Sequence, residues 1–107
     1  RKEDAMQVLH RQIQHIRPGK WDDLEELDGR FNAVERRLGF PTNKRRYRCY
    51  FGTHDSNTLV VEYEWESLGA LEAAFERAMA DPEWQALSVE AEAIIESNHM
   101  ELYAPLP

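Results

Sequence analysis

Proline and glycine cut this sequence into segments whose apolar spacing switches between two residues and three-to-four, and the order of those spacings leaves few folds open. The breaks fall at Pro18-Gly19, at Gly39-Phe40-Pro41, in the polar stretch from Gly52 to Asn57, and at Asp81-Pro82. Ala5 to Ile16 reads as a strand, with Leu9 and Ile13 on one face and His10, Gln12 and Gln14 on the other; Arg11 interrupts the apolar side. Lys20 to Leu38 reads as a helix, because Trp21, Leu24, Leu27, Phe31, Val34 and Leu38 step by three and four. Asp22, Asp23, Glu25 and Glu26 crowd its first turns and Arg36 and Arg37 its last, the polarity that the helix dipole favours. Gly39 suits the left-handed residue that closes a helix, and Pro41 bars continuation.

Two strands follow. Lys44 to Phe51 alternates Tyr47, Cys49 and Phe51 against Arg46, Arg48 and Tyr50, while Thr58 to Trp65 alternates Leu59, Val61, Tyr63 and Trp65 against Val60, Glu62 and Glu64. Paired as a hairpin with Arg48 opposite Glu62 and Arg46 opposite Glu64, they gather charge on one face and apolar groups on the other. A shift of two residues keeps that division, whereas a shift of one sets charge against the core. Ser67 is placed to cap a helix whose face is Leu68, Leu71, Phe75 and Ala78, and Asp81 a second one, with Pro82 in its first turn and Trp84, Leu87, Ala91 and Ile94 as its stripe. His99 to Pro105 reads as a last short strand, with Met100, Leu102 and Ala104 opposing Glu101 and Tyr103. With right-handed crossovers this order gives an α+β, ferredoxin-like β-α-β-β-α-β domain: a four-stranded antiparallel sheet with its helices on one face. The 107 residues suit one such domain, with residues 1–4 as a disordered tail.

Several function classes are disfavoured. Thirteen basic residues against 20 acidic give a formal charge of −7, which on average repels nucleic acid and anionic membranes. No apolar run approaches the roughly 20 residues needed to cross a bilayer, and Arg1-Lys2-Glu3-Asp4 lacks the apolar region of a signal peptide. The single cysteine, Cys49, excludes an internal disulfide and fits a reducing cytoplasm, where it reads as a packed core thiol. Lys44-Arg45-Arg46-Tyr47-Arg48 invites an RNA reading, but alternation sends Arg46 and Arg48 to the face of Glu62 and Glu64, and no aromatic, Gly-rich strand accompanies it. Glu96-x-x-His99 is half of a di-iron pattern without its second copy, so no metal site is expected.

The face that no helix shields is then expected to carry His10, Gln12, Arg46, Arg48, Tyr50, Glu62, Glu64, Glu101 and Tyr103. One reading leaves these groups in water as paired surface charges. The other presses a second copy against them, closing a barrel in which every buried charge must be matched. In that setting His10 is the candidate acid or base, with Glu62 or Glu101 as its partner. Arg48, Tyr50, Glu62 and Tyr103 supply the remaining polar contacts.

Tyr63-Glu64-Trp65-Glu66-Ser67, then Leu71, then Asp81-Pro82-Glu83-Trp84, resembles the strand-to-helix stretch of the dimeric α+β barrel superfamily. It is most similar to the NIPSNAP and antibiotic-biosynthesis-monooxygenase families, and Pro18-Gly19-Lys20 is similar to the NIPSNAP pattern. The resemblance implies a homodimer joined through its sheets, with a ligand pocket in each subunit between sheet and helices. Members of the superfamily include cofactor-free oxygenases acting on aromatic polyketides, haem-degrading enzymes, isomerases and proteins of unknown role. The oxygenase relatives carry a histidine in the helix after the Trp strand, about where Ala74 or Phe75 stands here, so haem ligation from that helix is not expected. The expectation is a homodimer that binds a small apolar or aromatic molecule and needs no cofactor. It would act as a cofactor-independent oxygenase or an isomerase, or, as the alternative, bind its ligand without catalysis.

Overall fold

The apolar stripe from Trp21 to Leu38 builds α1 (Trp21–Leu38), which buries Leu24, Leu27, Val34 and Leu38 against a sheet and ends on Gly39 at φ 86°. A computed structural model describes residues 7–107; the expected tail at residues 1–4 and the first residues of the expected opening strand lie outside the described residues. The remaining elements are β1 (Val8–Ile16), β2 (Arg45–Arg48), β3 (Thr58–Trp65), α2 (Leu68–Met79), α3 (Pro82–Ala91) and β4 (Ile95–Tyr103). Ser67 Oγ accepts from the Ala70 amide at 3.0 Å and Asp81 Oδ2 from the Trp84 amide at 2.9 Å, so both expected caps form. The fold is α+β with the ferredoxin-like order, its sheet antiparallel and ordered β2-β3-β1-β4. Among the described residues no helix is long and apolar enough to cross a membrane.

The core lies between the sheet and the helices. From β3 it takes Leu59, Val61, Tyr63 and Trp65, and from the helices Leu24, Leu27, Leu71, Ala74 and Leu87. Phe40 follows Gly39 into this core, where its ring meets those of Tyr63, Trp65, Phe75 and Trp84 at 5.2–6.0 Å.

Two strands turn their faces the other way from the sequence expectation. In β1, His10 pairs with Tyr63, Gln12 with Val61 and Gln14 with Leu59, so these three residues face the helices; Leu9, Arg11 and Ile13 face the open side. His10 and Gln12 therefore do not belong to the unshielded face. The open side has an apolar centre of its own, where Ile13 lies opposite Val60, so two apolar residues on β1 did not mark the helix side.

In β2, Arg46 pairs with Val61 and Arg48 with Leu59, which turns both arginines to the helix side, while Arg45 and Tyr47 face outward opposite Glu62 and Val60. This is the odd slip that alternation argued against. It is tolerated because β2 is an edge strand whose helix side is not lined by core. Glu25 and Asp28 of α1 meet Arg46 at 2.7 and 3.3 Å, and the Trp21 ring lies 4.0 Å beneath the Arg48 guanidinium. Tyr50 and Phe51 lie beyond the end of β2 and are almost fully exposed.

The last strand starts earlier than expected. Between β1 and β4 the register shifts after His15, which pairs with Ser97 while Ile16 pairs with Ile95. Glu96 is the extra residue of that bulge, and its carboxylate reaches His15 Nδ1 at 2.7 Å.

Candidate functional site

A cavity of about 290 Å³ opens between the sheet and the helices. Its floor is the helix side of β3 and β1, with Leu59, Val61, Gln12 and Gln14; Leu24, Leu27, Phe31 and Trp84 close over it. Phe31 and Trp84 meet edge to face at 5.2 Å, which makes one wall aromatic.

Charge collects at one end, where Asp28, Glu35, Lys44 and Tyr63 line the same space. Asp28 and Glu35 lie seven residues apart on α1, two turns along the same side of the helix. Lys44, just before β2, donates to Asp28 Oδ1 at 2.7 Å and to Asn32 Oδ1 at 2.8 Å, and stands 3.6 Å from Glu35 Oε2. The Tyr63 hydroxyl donates to Glu35 Oε1 at 2.8 Å. Glu35 is 7% exposed and Tyr63 4%. Burial pushes the Glu35 carboxyl above the usual range, opposed by the Lys44 ammonium and the Tyr63 bond. Burial, and then the Glu35 charge, hold the Tyr63 phenol far above its usual range, so it remains a donor. The arrangement can take up and return a proton at Glu35 while Lys44 supplies positive charge beside it.

His10 lies on the same side of the sheet, in the core beside this cluster. It is 0% exposed, stacks on Tyr63 at 5.0 Å and accepts from Trp65 Nε1 at Nδ1, 3.1 Å away. Its proton therefore sits on Nε2, which has no partner among the described residues. Burial lowers its pKa to about 4, so it is neutral at ordinary pH.

The five residues expected to act together are dispersed. Glu62 and Tyr103 share the open sheet face and are linked through Arg11, which bonds Glu62 at 2.9 Å and lies 5.1 Å over the Tyr103 ring, while the Tyr103 hydroxyl donates to Glu101. His10 is on the opposite side of the sheet, so neither Glu62 nor Glu101 partners it. Arg48 is at the sheet edge, bonded to the Ser56 carbonyl at 2.7 Å, and Tyr50 is 99% exposed in the following loop. Cys49 is half-buried, and its thiol donates to the His54 carbonyl at 3.1 Å. Among the described residues no three His, Cys, Asp or Glu side chains converge to hold a metal ion.

The sequence reading singled out neither Glu35 nor Asp28 and placed Lys44 only in a strand and a basic run. A signal existed: Asp28 and Glu35 each follow an apolar stripe residue, Leu24 and Phe31, by four positions, so the stripe of α1 carries two acids along its border.

Residues 15–107 match the family model for NIPSNAP. Among solved structures, an uncharacterized NIPSNAP-like domain protein from Burkholderia xenovorans superposes with a TM-score of 0.80 at 16% identity, covering 95% of this chain and 87% of its own. A NIPSNAP family protein from Agrobacterium tumefaciens gives 0.75 at 18% identity, over 94% of this chain and 87% of its own. SnoaB, a cofactor-independent oxygenase from Streptomyces nogalater, gives 0.71 at 16% identity, over 96% of both chains. At these identities the likeness is one of fold. No curated protein sequence matches significantly.

Proposed function

The chain belongs to the NIPSNAP family, and on that premise we propose that its sheet–helix cavity binds a small, largely apolar molecule bearing an acidic or enolisable group, on which Glu35 moves a proton. One observation carries this reading. Glu35 is a buried carboxyl on the cavity wall with one oxygen fixed by Tyr63 and the other, among the described residues, met only by Lys44 at 3.6 Å, which leaves that oxygen within reach of a ligand. The raised pKa brings Glu35 closer to the working range of a general base than a solvated carboxylate. The volume is near the lower bound of the roughly 300–1,000 Å³ common for ligand pockets, which suits one or two fused rings against Phe31 and Trp84.

Glu35 would take the proton from the ligand's acidic position, and Lys44 would favour the resulting anion. That anion either regains the proton at another carbon, an isomerisation, or passes one electron to dioxygen, after which the ligand radical and superoxide would combine through a new C–O bond to a peroxide, an oxygenation without a cofactor; SnoaB, which shares the fold, is a cofactor-independent oxygenase. In the alternative, the protein binds its ligand without turnover, and the Tyr63–Glu35–Lys44 contacts serve to join α1 to the sheet.

Titration with naphthol and with the enolisable two-ring ketone 2-tetralone separates these readings, with Trp84 in the wall as the fluorescent reporter and oxygen uptake and ligand absorbance as the readouts of chemistry. Turnover that falls by about a hundredfold or more in Glu35→Gln, with binding kept, supports the proton-transfer reading. Saturable binding without any chemistry leaves the non-catalytic reading. Absence of saturable binding up to millimolar concentration overturns both.

The open sheet face supports a proposal of its own, that a second copy covers it. Leu9, Ile13 and Val60 are only half-buried there, and Arg11 already matches Glu62. Light scattering that finds a stable monomer at micromolar concentration removes this proposal.

A further inference from the structure

The cavity floor carries polar side chains where a sheet packed under helices ordinarily carries apolar ones. Gln12 and Gln14 on β1 and Asn98 on β4 all line it. Their positions follow from register: Gln12 lies opposite Val61 and Gln14 opposite Leu59, while Asn98 pairs with Gln14 from the other side. Gln14 Nε2 donates to Gln12 Oε1 at 3.2 Å. That bond leaves the Gln12 NH₂ group and the Gln14 carbonyl oxygen, a donor and an acceptor on two residues that line the cavity, without a side-chain partner among the described residues.

These amides are at the end away from Glu35. Along β3 the partner of Gln12, Val61, is two residues and the partner of Gln14, Leu59, four residues from Tyr63, which holds Glu35, so the two amides stand about 7 and about 13 Å of strand away from it. Apolar and aromatic walls lie between them. Glu92 also lines the cavity, its carbonyl accepting from Arg17 Nε at 3.2 Å just past the end of β1, and a ligand anion at the amide end would meet the Gln14 carbonyl oxygen, which can only accept.

We infer that the ligand is bipolar: a flat apolar body with an acidic or enolic group at Glu35 and, at its far end, a neutral group that both donates and accepts hydrogen bonds, such as a carboxamide, read by Gln12 and Gln14. The inference rests on the proposed use of the cavity and adds the chemistry of the second end.

Three probes test it in the full-length protein by fluorescence titration: naphthol, a hydroxynaphthamide and a hydroxynaphthoate, the latter two with their substituents at opposite ends of the ring pair. The carboxamide binds about tenfold more tightly than naphthol, as two neutral hydrogen bonds would give, and the carboxylate no more tightly than naphthol. In Gln14→Leu the carboxamide's advantage disappears while naphthol binds at least as well. Should that variant fail to fold, Gln12→Leu carries the same comparison. Equal binding of naphthol and carboxamide by the wild type, an advantage that survives the substitution, or a carboxylate that binds as tightly as the carboxamide overturns the inference and leaves the cavity's use intact. If none of the three binds saturably, the proposed use of the cavity falls, and this inference with it.

Discussion

Replacing Tyr63 by Phe removes one oxygen from the core, and the cost depends on the charge of the group that oxygen serves. The Tyr63 hydroxyl donates to Glu35 Oε1 at 2.8 Å, and both residues are buried. A buried hydrogen bond to a charged acceptor contributes about 1.5–3 kcal/mol and one to a neutral acceptor about 0.5–1.5 kcal/mol. Tyr63→Phe therefore costs about 1 kcal/mol while Glu35 is protonated and about 2 kcal/mol once it ionises. In a domain of this size that is a fall in Tm of roughly 5 °C and 10 °C respectively. The sign in pH follows from burial. Because the folded carboxyl lies above its ordinary value, the native state keeps a proton that the unfolded chain has released, and wild-type stability declines as pH rises from about 4.5 through the folded pKa. Losing the Tyr63 donor raises Glu35 further and widens that window, so the variant falls increasingly behind the wild type. Urea unfolding of both proteins at intervals from about pH 4.5 to about pH 9 measures the difference. The same substitution in a Glu35→Gln background is the control, with a flat cost of about 1 kcal/mol. A cost that does not change with pH, or an equal pH dependence in the Glu35→Gln background, would show that Tyr63 is not what holds the Glu35 charge.

Three further outcomes follow from other contacts. His10 titrates near pH 4 instead of 6.5, so its contribution is complete above about pH 6.5 and is lost as pH falls, by on the order of 3 kcal/mol at the acid limit; His10→Leu removes that acid-side slope, and an NMR titration placing His10 near 6.5 would contradict the account. His15 has the opposite sign: its ring bonds Glu96 at 2.7 Å and Asp55 at 3.0 Å, which raises its pKa, so its contribution is present below about pH 6.5 and lost as pH rises through the folded value; Asp55→Asn shrinks that loss, and an unchanged alkaline slope would count against the contact. Gly39→Ala forces a Cβ onto a residue at φ +86° and within 2.9 Å of Arg77 Nη2, a group that with Nε bonds the Leu38 carbonyl; thermal melts register a cost of about 1–2 kcal/mol, and an unshifted Tm would mean that this helix end is not rigid.

The helices were legible because their signals are local. The stripe from Trp21 to Leu38, the glycine that ends it and the caps at Ser67 and Asp81 each depend on neighbours a turn away. Strand order followed from connection rules, and the faces of β3 and β4 from alternation that no other element contradicts. The faces of β1 and β2 were not legible, because they are settled by partners distant in sequence. Arg46 turns toward the helices since Glu25 and Asp28 wait there at the edge, and β1 offers an apolar residue to each side of the sheet. The apparent match of Arg46 and Arg48 with Glu62 and Glu64 is replaced by Arg11 bonded to Glu62, with Arg45 opposite it.

These failures of pattern have a common location. His10, Gln12 and Gln14 turn to the helix side against expectation, Asp28 and Glu35 border the apolar stripe, and Lys44 precedes a strand whose helix side is charged. Scattered over a surface, such exceptions would cost little and signify little. Here five of the six line one cavity, and the sixth, His10, stacks on the tyrosine that fixes Glu35. An apolar residue at Glu35 would spare the fold the desolvation of a carboxyl, and leucines at Gln12 and Gln14 would extend the apolar floor. A chain that instead retains a buried acid at one end of a cavity and, among the described residues, two amides bonded only to each other toward the other gives up stability at those positions, a cost for which the proposed binding of a ligand between them would account.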